Sequence, residues 1–240
     1  MIVKLAIILF IYFGIGGIIM AFVNSSKDAQ FRRNNWIKYF VYLLIIAVLF
    51  ITILLKANYF HYLSTLILFL GLFEIIRLIL STQKIKVGII SLLIFSLLAV
   101  TFYLFSQMPS NYLFYTLFLT TVFDSFSQLT GQLLGKRHLF RNISPNKTLE
   151  GLIGGYLITL LTAIFIHDLL DITVAKSILT AVFLATFSMV GDLIASYCKR
   201  KFEVKDFGRL LPGHGGVLDR FDSLIASGSI MFLLNLIFDV

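Results

Sequence analysis

The stretch IKYFVYLLIIAVLFITILL, Ile37–Leu55, holds 19 residues and a single charge, Lys38. The hydrocarbon core of a bilayer is about 30 Å thick and needs about 20 mostly apolar residues in a helix to cross it. The stretch therefore predicts a membrane-spanning helix, and the rest of the chain can be searched for others.

Seven further runs have a similar length and composition, and they alternate with short polar loops. They are Leu5–Val23, Tyr62–Leu80, Val87–Phe105, Tyr112–Leu134, Leu152–Leu170, Ser177–Tyr197 and Leu224–Phe238, the last being short for a full span. The chain of 240 residues is 59% hydrophobic and 13% charged, which lies outside the range of soluble domains. We predict an all-α polytopic integral membrane protein with about eight transmembrane helices in one continuous membrane domain.

The net charge of +8 reports topology here and gives no reason to expect a nucleic-acid partner. Seventeen of the 20 Lys and Arg residues lie in, or within four residues of, the loops that follow the first, third, fifth and seventh predicted helices. The remaining three are Lys4, Lys56 and Lys176. Cytoplasmic loops of membrane proteins carry an excess of Lys and Arg. The pattern predicts that these four loops are cytoplasmic and that both termini lie on the other side.

Several charged residues fall within the apolar runs, where a charge is costly and usually faces a polar cavity. Glu74 and Arg77 are three residues apart on one helical face, which predicts a buried ion pair. Asp124 lies among polar residues in TTVFDSFSQLTGQLLG, which predicts a helix that lines a hydrated space. For Asp192 two interpretations stay open: a carboxylate paired with Lys199, or a ligand that faces a cytoplasmic pocket.

The fifth loop and its exit, GKRHLFRNISPNKTLEGLIGG, run from Gly135 to Gly155. Ser144 before a proline marks a turn, and Thr148 can cap the sixth helix with Glu150 in its first turn. Lys147 then lies near a helix N-terminus, a natural place for an anion. The alternative is a basic loop that binds anionic head groups without specificity.

The seventh loop, SYCKRKFEVKDFGRLLPGHGGVLDRFDS, mixes glycines, carboxylates and cations. Pro212–Gly216 offers backbone N–H groups to a phosphate, and Asp219 and Asp222 share one face if they are helical. Carboxylate pairs hold hard cations such as Mg²⁺. Positive charge for a polyphosphate comes from Lys199, Arg200, Lys205, Arg209 and Arg220. The loop predicts phosphate chemistry at the membrane surface.

This loop resembles the signature of the phosphatidate cytidylyltransferases, also called CDP-diacylglycerol synthases, in its Ser, Lys-Arg, Lys-Asp, His-Gly-Gly and Asp-Arg-x-Asp elements. ISPNKTLEG, Ile143–Gly151, resembles a second block of that family, and Asp124 lies where a third begins. The resemblance covers about the C-terminal half. It implies N-terminal helices in 1–110 and a catalytic region in 111–240.

The resemblance also implies a reaction. Phosphatidate attacks the α-phosphorus of CTP, which releases pyrophosphate and forms CDP-diacylglycerol in the membrane, on the cytoplasmic side and in the inner membrane of a bacterium. It implies Mg²⁺ at Asp192 and Asp219, with a second metal ion left open, and a homodimer is an expectation from the family. A phosphate nucleophile is already ionised, so His214 is expected to bind or orient substrate.

Residue roles follow from the matching positions. The catalytic set implied is Ser196, Lys199, Arg200, Asp219, Arg220 and Asp222. The substrate-binding set implied is Asp124, Ser144, Lys147, Thr148, Glu150, Lys205, Asp206, His214, Gly215 and Gly216.

Three alternatives stay open from the sequence. Ser127 and Gln128 stand where the family commonly has Ala-Tyr, which is compatible with a paralogue that acts on another lipid phosphate. A CTP-using lipid kinase would transfer the γ-phosphoryl group instead. A small ion-coupled transporter would use Asp124 and Asp192 for ions, although the sequence lacks the internal repeat that is common in such folds.

Overall fold

A computed structural model describes residues 2–25, 28–208 and 215–238. These residues form eight long helices and a two-stranded antiparallel hairpin, in the order α1 Ile2–Asn24, α2 Ala29–Leu55, α3 Ala57–Thr82, α4 Ile85–Phe105, α5 Ser110–Leu134, β1 His138–Phe140, β2 Ser144–Thr148, α6 Leu149–Ile166, α7 Val174–Phe202 and α8 Leu218–Phe238. A short 3₁₀ helix, His167–Leu169, follows α6. The predicted all-α membrane fold is confirmed.

Helix α5 lies at the centre of the bundle and differs from the others in polarity. In the part of the chain that the structure describes, seven helices are long and apolar enough to cross a membrane, and α5 is not among them. It packs instead against α1, α2, α6, α7 and α8, and every residue from Leu113 to Phe123 is buried. The surrounding helices therefore shield a polar helix from lipid, which lets Asp124 lie inside the bundle.

Small residues bring α5 and α6 into close contact. A Cβ atom added at Gly151 would lie 2.6 Å from the backbone oxygen of Ser127 and 3.1 Å from the Cα of Gly131. Backbones that approach this closely are typical of membrane helices with glycine at the interface. The side chain of Thr148 accepts a hydrogen bond from the Gly151 amide at 3.1 Å, which confirms Thr148 as the cap that begins α6.

One end of the bundle, which we call the hairpin end, holds the β1–β2 hairpin. The end of α3 reaches it, because Lys84 Nζ pairs with Glu203 Oε1 at 2.8 Å just after α7. The hydrogen bond and the charge of Lys84 lower the pKa of the exposed Glu203 carboxyl. Arg200 Nε on α7 donates to the carbonyl of Ile143 in the hairpin at 3.3 Å. The loops after α3, α5 and α7 thus share one end, as the charge pattern predicts.

The intervening connections meet at the opposite end. Lys4 Nζ on α1 pairs with Asp168 Oδ2, in the connection before α7, at 2.9 Å. His61 near the start of α3 hydrogen-bonds to Ser106 at the end of α4, with 2.8 Å between Nδ1 and Oγ. The chain therefore crosses the bundle with each successive helix, α5 included.

Several helices extend beyond their predicted bounds. Helix α2 begins at Ala29 rather than Ile37, so Arg32 and Arg33 are helical and not in a loop. Helix α7 ends at Phe202 rather than Tyr197, and α8 begins at Leu218 rather than Leu224. Hydropathy identifies only the segment that crosses the hydrocarbon core. The helix itself continues into the polar interface until a cap satisfies its terminal backbone groups. The prediction also missed the hairpin, which has too few residues to show an alternating pattern.

Candidate functional site

A cavity of about 470 Å³ opens at the hairpin end. Its walls come from α1, α2, α5, the hairpin, the start of α6, the end of α7 and the start of α8. Ten of the predicted site residues line it, and they are Asp124, Ser144, Lys147, Thr148, Asp192, Lys199, Asp206, Asp219, Arg220 and Asp222. The fold thus brings together residues from the fifth helix and from both predicted loops.

Asp219, in the first turn of α8, is the most firmly held carboxylate of the cavity. Its Oδ1 accepts a hydrogen bond from Lys199 Nζ at 2.6 Å, and its Oδ2 accepts from the Phe207 and Gly216 amides, both at 2.8 Å. The side chains of Lys199 and Asp219 are 11% and 2% exposed. Asp219 therefore ties α7, α8 and the loop between them together.

A second ion pair joins the hairpin to α7. Lys147 Nζ lies 2.8 Å from Asp192 Oδ2, and their side chains are 25% and 34% exposed. Ser196 Oγ, one turn along α7, donates to Asp192 Oδ1 at 3.3 Å. The partner of Asp192 is therefore Lys147, and the sequence-based pairing with Lys199 was wrong. Asp192 instead lines the cavity, as the second interpretation predicts.

Asp124 and Asp222 complete a group of carboxylates around the cavity. Asp124 Oδ1 accepts a hydrogen bond from Ser188 Oγ on α7 at 2.7 Å. Asp222 Oδ1 accepts from the Ser223 amide at 2.7 Å. Asp124, Asp192 and Asp222 lie close enough to repel one another electrostatically. Negative and positive groups thus line one cavity, which suits a ligand that carries both phosphate and a cation.

The carboxylates can be tested as a set of ligands for Mg²⁺. Within residues 2–25, 28–208 and 215–238, no group of three or more His, Cys, Asp or Glu side chains is arranged to hold a metal ion. Mg²⁺ usually takes only one or two carboxylates, with water and substrate phosphates completing its shell. Asp222 fits that requirement. Asp192 fits it if Lys147 moves away, because its two oxygens contact Lys147 and Ser196. Asp219 fits less well, because its two oxygens accept three hydrogen bonds and its side chain is 2% exposed. The metal roles of Asp192 and Asp219 stay predictions.

Other predicted residues lie outside the cavity wall. Glu150 accepts hydrogen bonds from the backbone amides of Lys136 and Arg137 at 3.0 and 3.2 Å. Arg200 contacts the hairpin backbone, and Lys205 is exposed. Ser196 donates a hydrogen bond to Asp192. The substrate contacts predicted for these four side chains stay predictions.

The glycine turn is described only in part, since His214 and Arg209 lie outside the described residues. Gly215 has a φ of +82°, a conformation that favours glycine. A Cβ added at Gly215 would lie 3.0 Å from Asp219 Oδ2. The Gly216 amide is bonded to the same oxygen. In the described part, the turn is therefore packed around Asp219, and its predicted contact with phosphate stays a prediction.

The predicted ion pair between Glu74 and Arg77 was wrong. The Glu74 carboxylate accepts hydrogen bonds from the backbone amides of Val217 and Leu218, both at 2.9 Å. The first amides of a helix lack partners within the helix, so a carboxylate from α3 satisfies them at the start of α8. The spacing of Glu74 and Arg77 along one helix carries no information about this contact.

Sequence reasoning also missed side chains from the N-terminal helices. Tyr12 on α1 and Lys38 and Tyr42 on α2 line the cavity. Lys38 gave a weak signal, because it interrupts an apolar run. Tyrosine is common in membrane helices, so Tyr12 and Tyr42 gave none. The division of the chain into 1–110 and 111–240 stays a prediction, but the cavity wall draws on both parts.

The fold and the cavity define a class: a multi-pass helical membrane protein with a cavity at one end of its bundle that acidic and basic side chains line. Comparison with known proteins narrows the class. The sequence model of the Cytidylyltransferase family matches residues 107–238, more than half of the chain. The chain therefore belongs to the cytidylyltransferase family.

Several curated relatives share that region. A protein of Bacillus subtilis (strain 168), named phosphatidate cytidylyltransferase, is 41% identical over 134 residues, which are 55% of this chain and 50% of that protein. Proteins with the same name from Staphylococcus haemolyticus (strain JCSC1435) and Staphylococcus aureus (strain COL) are 41% and 42% identical over 129 residues, 53% of this chain and 47% of each relative. The chain spans about half the length of the curated relatives it matches.

Proposed function

We propose that the protein transfers the cytidylyl group of CTP to phosphatidate, forming CDP-diacylglycerol and pyrophosphate. The observation that carries the proposal is the cavity at the hairpin end, which Lys147, Lys199 and Arg220 line together with Asp192 and Asp222. Membership of the cytidylyltransferase family and the names of the relatives support the same reaction.

The chemistry requires positioning and charge neutralisation more than proton transfer. A phosphate oxygen of phosphatidate forms a bond to the α-phosphorus of CTP, and the bond from that phosphorus to the oxygen bridging to the β-phosphate breaks. Pyrophosphate leaves with the electron pair. The attacking oxygen is already ionised at neutral pH, so no general base is needed.

The chain's own cations would offset the charge of the two substrates. Lys147 of the hairpin, Lys199 of α7 and Arg220 of α8 all line the cavity. When bound, Mg²⁺ would neutralise the triphosphate, and Asp192 and Asp222 would hold it. Lys147 pairs with Asp192, so the approach of a phosphate would draw Lys147 from the carboxylate toward the ligand.

The cavity also has the apolar surface that a lipid substrate needs. Leu9 and Phe13 of α1 and Phe126 and Leu129 of α5 line it beside the charged residues. A phosphatidate that stays in the bilayer could place its glycerol and upper acyl carbons against these side chains, with its phosphate toward the cations. We expect the hairpin end to lie on the cytoplasmic side, where CTP is available.

Cysteine accessibility tests this orientation. Cysteines at Asn142 and Glu203, both exposed at the hairpin end, should react with an impermeant reagent only from the cytoplasmic side in a background that lacks Cys198. A cysteine at Lys176, near the opposite end, is the matched control and should react only from outside. The reverse pattern would place the cavity away from CTP and contradict the orientation.

Product analysis tests the reaction itself. The purified protein is incubated with CTP, Mg²⁺ and phosphatidate, and pyrophosphate, CDP and CDP-diacylglycerol are quantified. Equal amounts of pyrophosphate and CDP-diacylglycerol are expected. CDP as the product would identify a lipid kinase. If CTP is not consumed with any of a panel of lipid phosphates, the proposed reaction is contradicted.

A homodimer, proposed from the family alone, is tested by the mass of the protein–detergent complex in light scattering.

A further inference from the structure

A buried carboxylate from outside the family-matched residues contacts the start of α8. Glu74 lies in the second half of α3 and is 1% exposed. Its Oε1 accepts a hydrogen bond from the Val217 amide and its Oε2 from the Leu218 amide, both at 2.9 Å. These contacts join residues that are 143 and 144 positions apart in the sequence.

The chain is packed tightly around this carboxylate. A Cβ added at Gly216 would lie 2.5 Å from both carboxylate oxygens of Glu74, and one added at Gly208 would also overlap the carboxylate. Only glycine leaves room at both positions. Glu74 therefore contacts the chain as it leaves α7 and again as it enters α8.

The position of α8 decides what faces the cavity. Asp219, Arg220 and Asp222 lie in its first two turns, immediately after the two amides that Glu74 binds. A carboxylate at a helix N-terminus satisfies free amides and interacts favourably with the helix dipole. Because both oxygens of Glu74 are used, the contact constrains the rotation of the first turn as well as its position along the axis.

Asp219 holds the same chain ends from within α8, through the Phe207 and Gly216 amides. Two carboxylates thus fix one loop, and of the two it is Glu74 that comes from the N-terminal helices. In the absence of such a connection, α8 could shift relative to α3 without breaking any bond made by Asp219.

We propose that Glu74 is a positioning residue for the reaction: it holds the first turn of α8 so that Arg220 and Asp222 face the cavity. The inference rests on the proposed function, because the assay is cytidylyl transfer. Replacing Glu74 by Gln keeps the size of the side chain but puts an NH₂ group opposite one backbone amide. One hydrogen bond is lost, and two donors face each other.

The test compares Glu74→Gln with two controls. Glu203→Gln makes the same chemical change at an exposed carboxylate, and Ile75→Val perturbs the buried face of α3 next to Glu74. For each variant, kcat and the KM for CTP are measured, together with the melting temperature and the hydrogen exchange of peptides that contain Val217 and Leu218.

Glu74→Gln should lower kcat by about 10–100-fold, the range found when a residue that supports a site is removed. The KM for CTP should change little, and the Val217 and Leu218 amides should exchange faster. Both controls should keep a wild-type kcat. Glu74→Asp keeps two acceptor oxygens on a shorter side chain, so it should retain more kcat than Glu74→Gln.

If wild-type protein makes CDP-diacylglycerol, either of two results would overturn the inference. The first is an unchanged kcat in Glu74→Gln. The second is an equal loss of kcat in Ile75→Val when both variants lose the same melting temperature. If Glu74→Gln does not fold, Glu74→Asp decides, with a lower kcat and faster exchange supporting the inference and a wild-type kcat overturning it. If wild-type protein does not consume CTP, the proposed function is contradicted instead. In that case the hydrogen exchange of the Val217 and Leu218 amides still tests their contact with Glu74, and an unchanged exchange rate in Glu74→Gln would contradict it.

Discussion

Replacing Asp219 by Asn tests whether this carboxylate holds the structure together. Its side chain accepts one hydrogen bond from Lys199 and two from the Phe207 and Gly216 amides. An Asn side chain has one acceptor oxygen instead of two and carries no charge. In the variant, Lys199 would stay buried without its counter-charge, and an amide NH₂ would face a donor.

The loss of stability can be worked out from these contacts. Removing one partner of a buried ion pair costs about 3–5 kcal/mol. Because the Lys199 side chain is 11% exposed, we take the lower value. In a chain of this size each kcal/mol lowers the melting temperature by about 2–4 °C. Asp219→Asn should therefore melt about 6–12 °C below wild type.

The assay is thermal unfolding in detergent, run beside a CTP turnover assay. Asp222→Asn is the matched control, since it changes a carboxylate one turn further along α8. Asp222 lies near Asp124 and Asp192, so neutralising it relieves repulsion. Asp222→Asn should melt at or above the wild-type temperature and yet lose turnover, because it removes a carboxylate that we propose holds Mg²⁺.

A double variant separates the charge from the hydrogen bonds. Lys199→Gln combined with Asp219→Asn leaves no lone buried charge and should recover part of the lost melting temperature. If Asp219→Asn loses turnover but has the melting temperature of wild type, the structural role is refuted. Asp219 would then bind a ligand and would not stabilise the fold.

Three further predictions concern the hairpin and the helix that follows it. Lys147→Gln should raise the KM for CTP in steady-state assays while changing stability by less than about 1 kcal/mol, because its pair with Asp192 is partly exposed; a wild-type KM would contradict a role in binding. Thr148→Ala should lower the free energy of unfolding in denaturant titrations by about 1 kcal/mol through loss of the cap of α6. Gly151→Ala should cost about 1–3 kcal/mol in the same titrations, since its Cβ would meet the backbone of α5. Gly14→Ala is its control, because a Cβ there meets nothing within 4 Å, and an equal loss in both variants would argue against close packing of α5 and α6.

The sequence predicts the features that depend on local chemistry. Long apolar runs give the eight helices, because each must satisfy its own backbone within lipid. Thr148 caps α6 because the cap and the capped amide are three residues apart. The acidic residue Asp124 indicates a polar interior, since a carboxylate facing lipid would be too costly.

The contacts that shape the site depend on tertiary structure, which the sequence does not reveal. Glu74 has a cation one turn away, and that spacing suggests an ion pair, but its partners are amides on α8. Asp192 follows the same pattern, since Lys199 is near in sequence while Lys147 comes from the hairpin. In both cases, packing of distant helices decides the partner.

The fate of the phosphorus atoms of CTP tests the central claim most directly. The purified protein is given phosphatidate, Mg²⁺ and CTP that carries radioactive phosphorus at either the α or the γ position. Cytidylyl transfer predicts that the α label enters the lipid and that the γ label is recovered in pyrophosphate. The γ label in the lipid, or both labels still in CTP, would contradict the account.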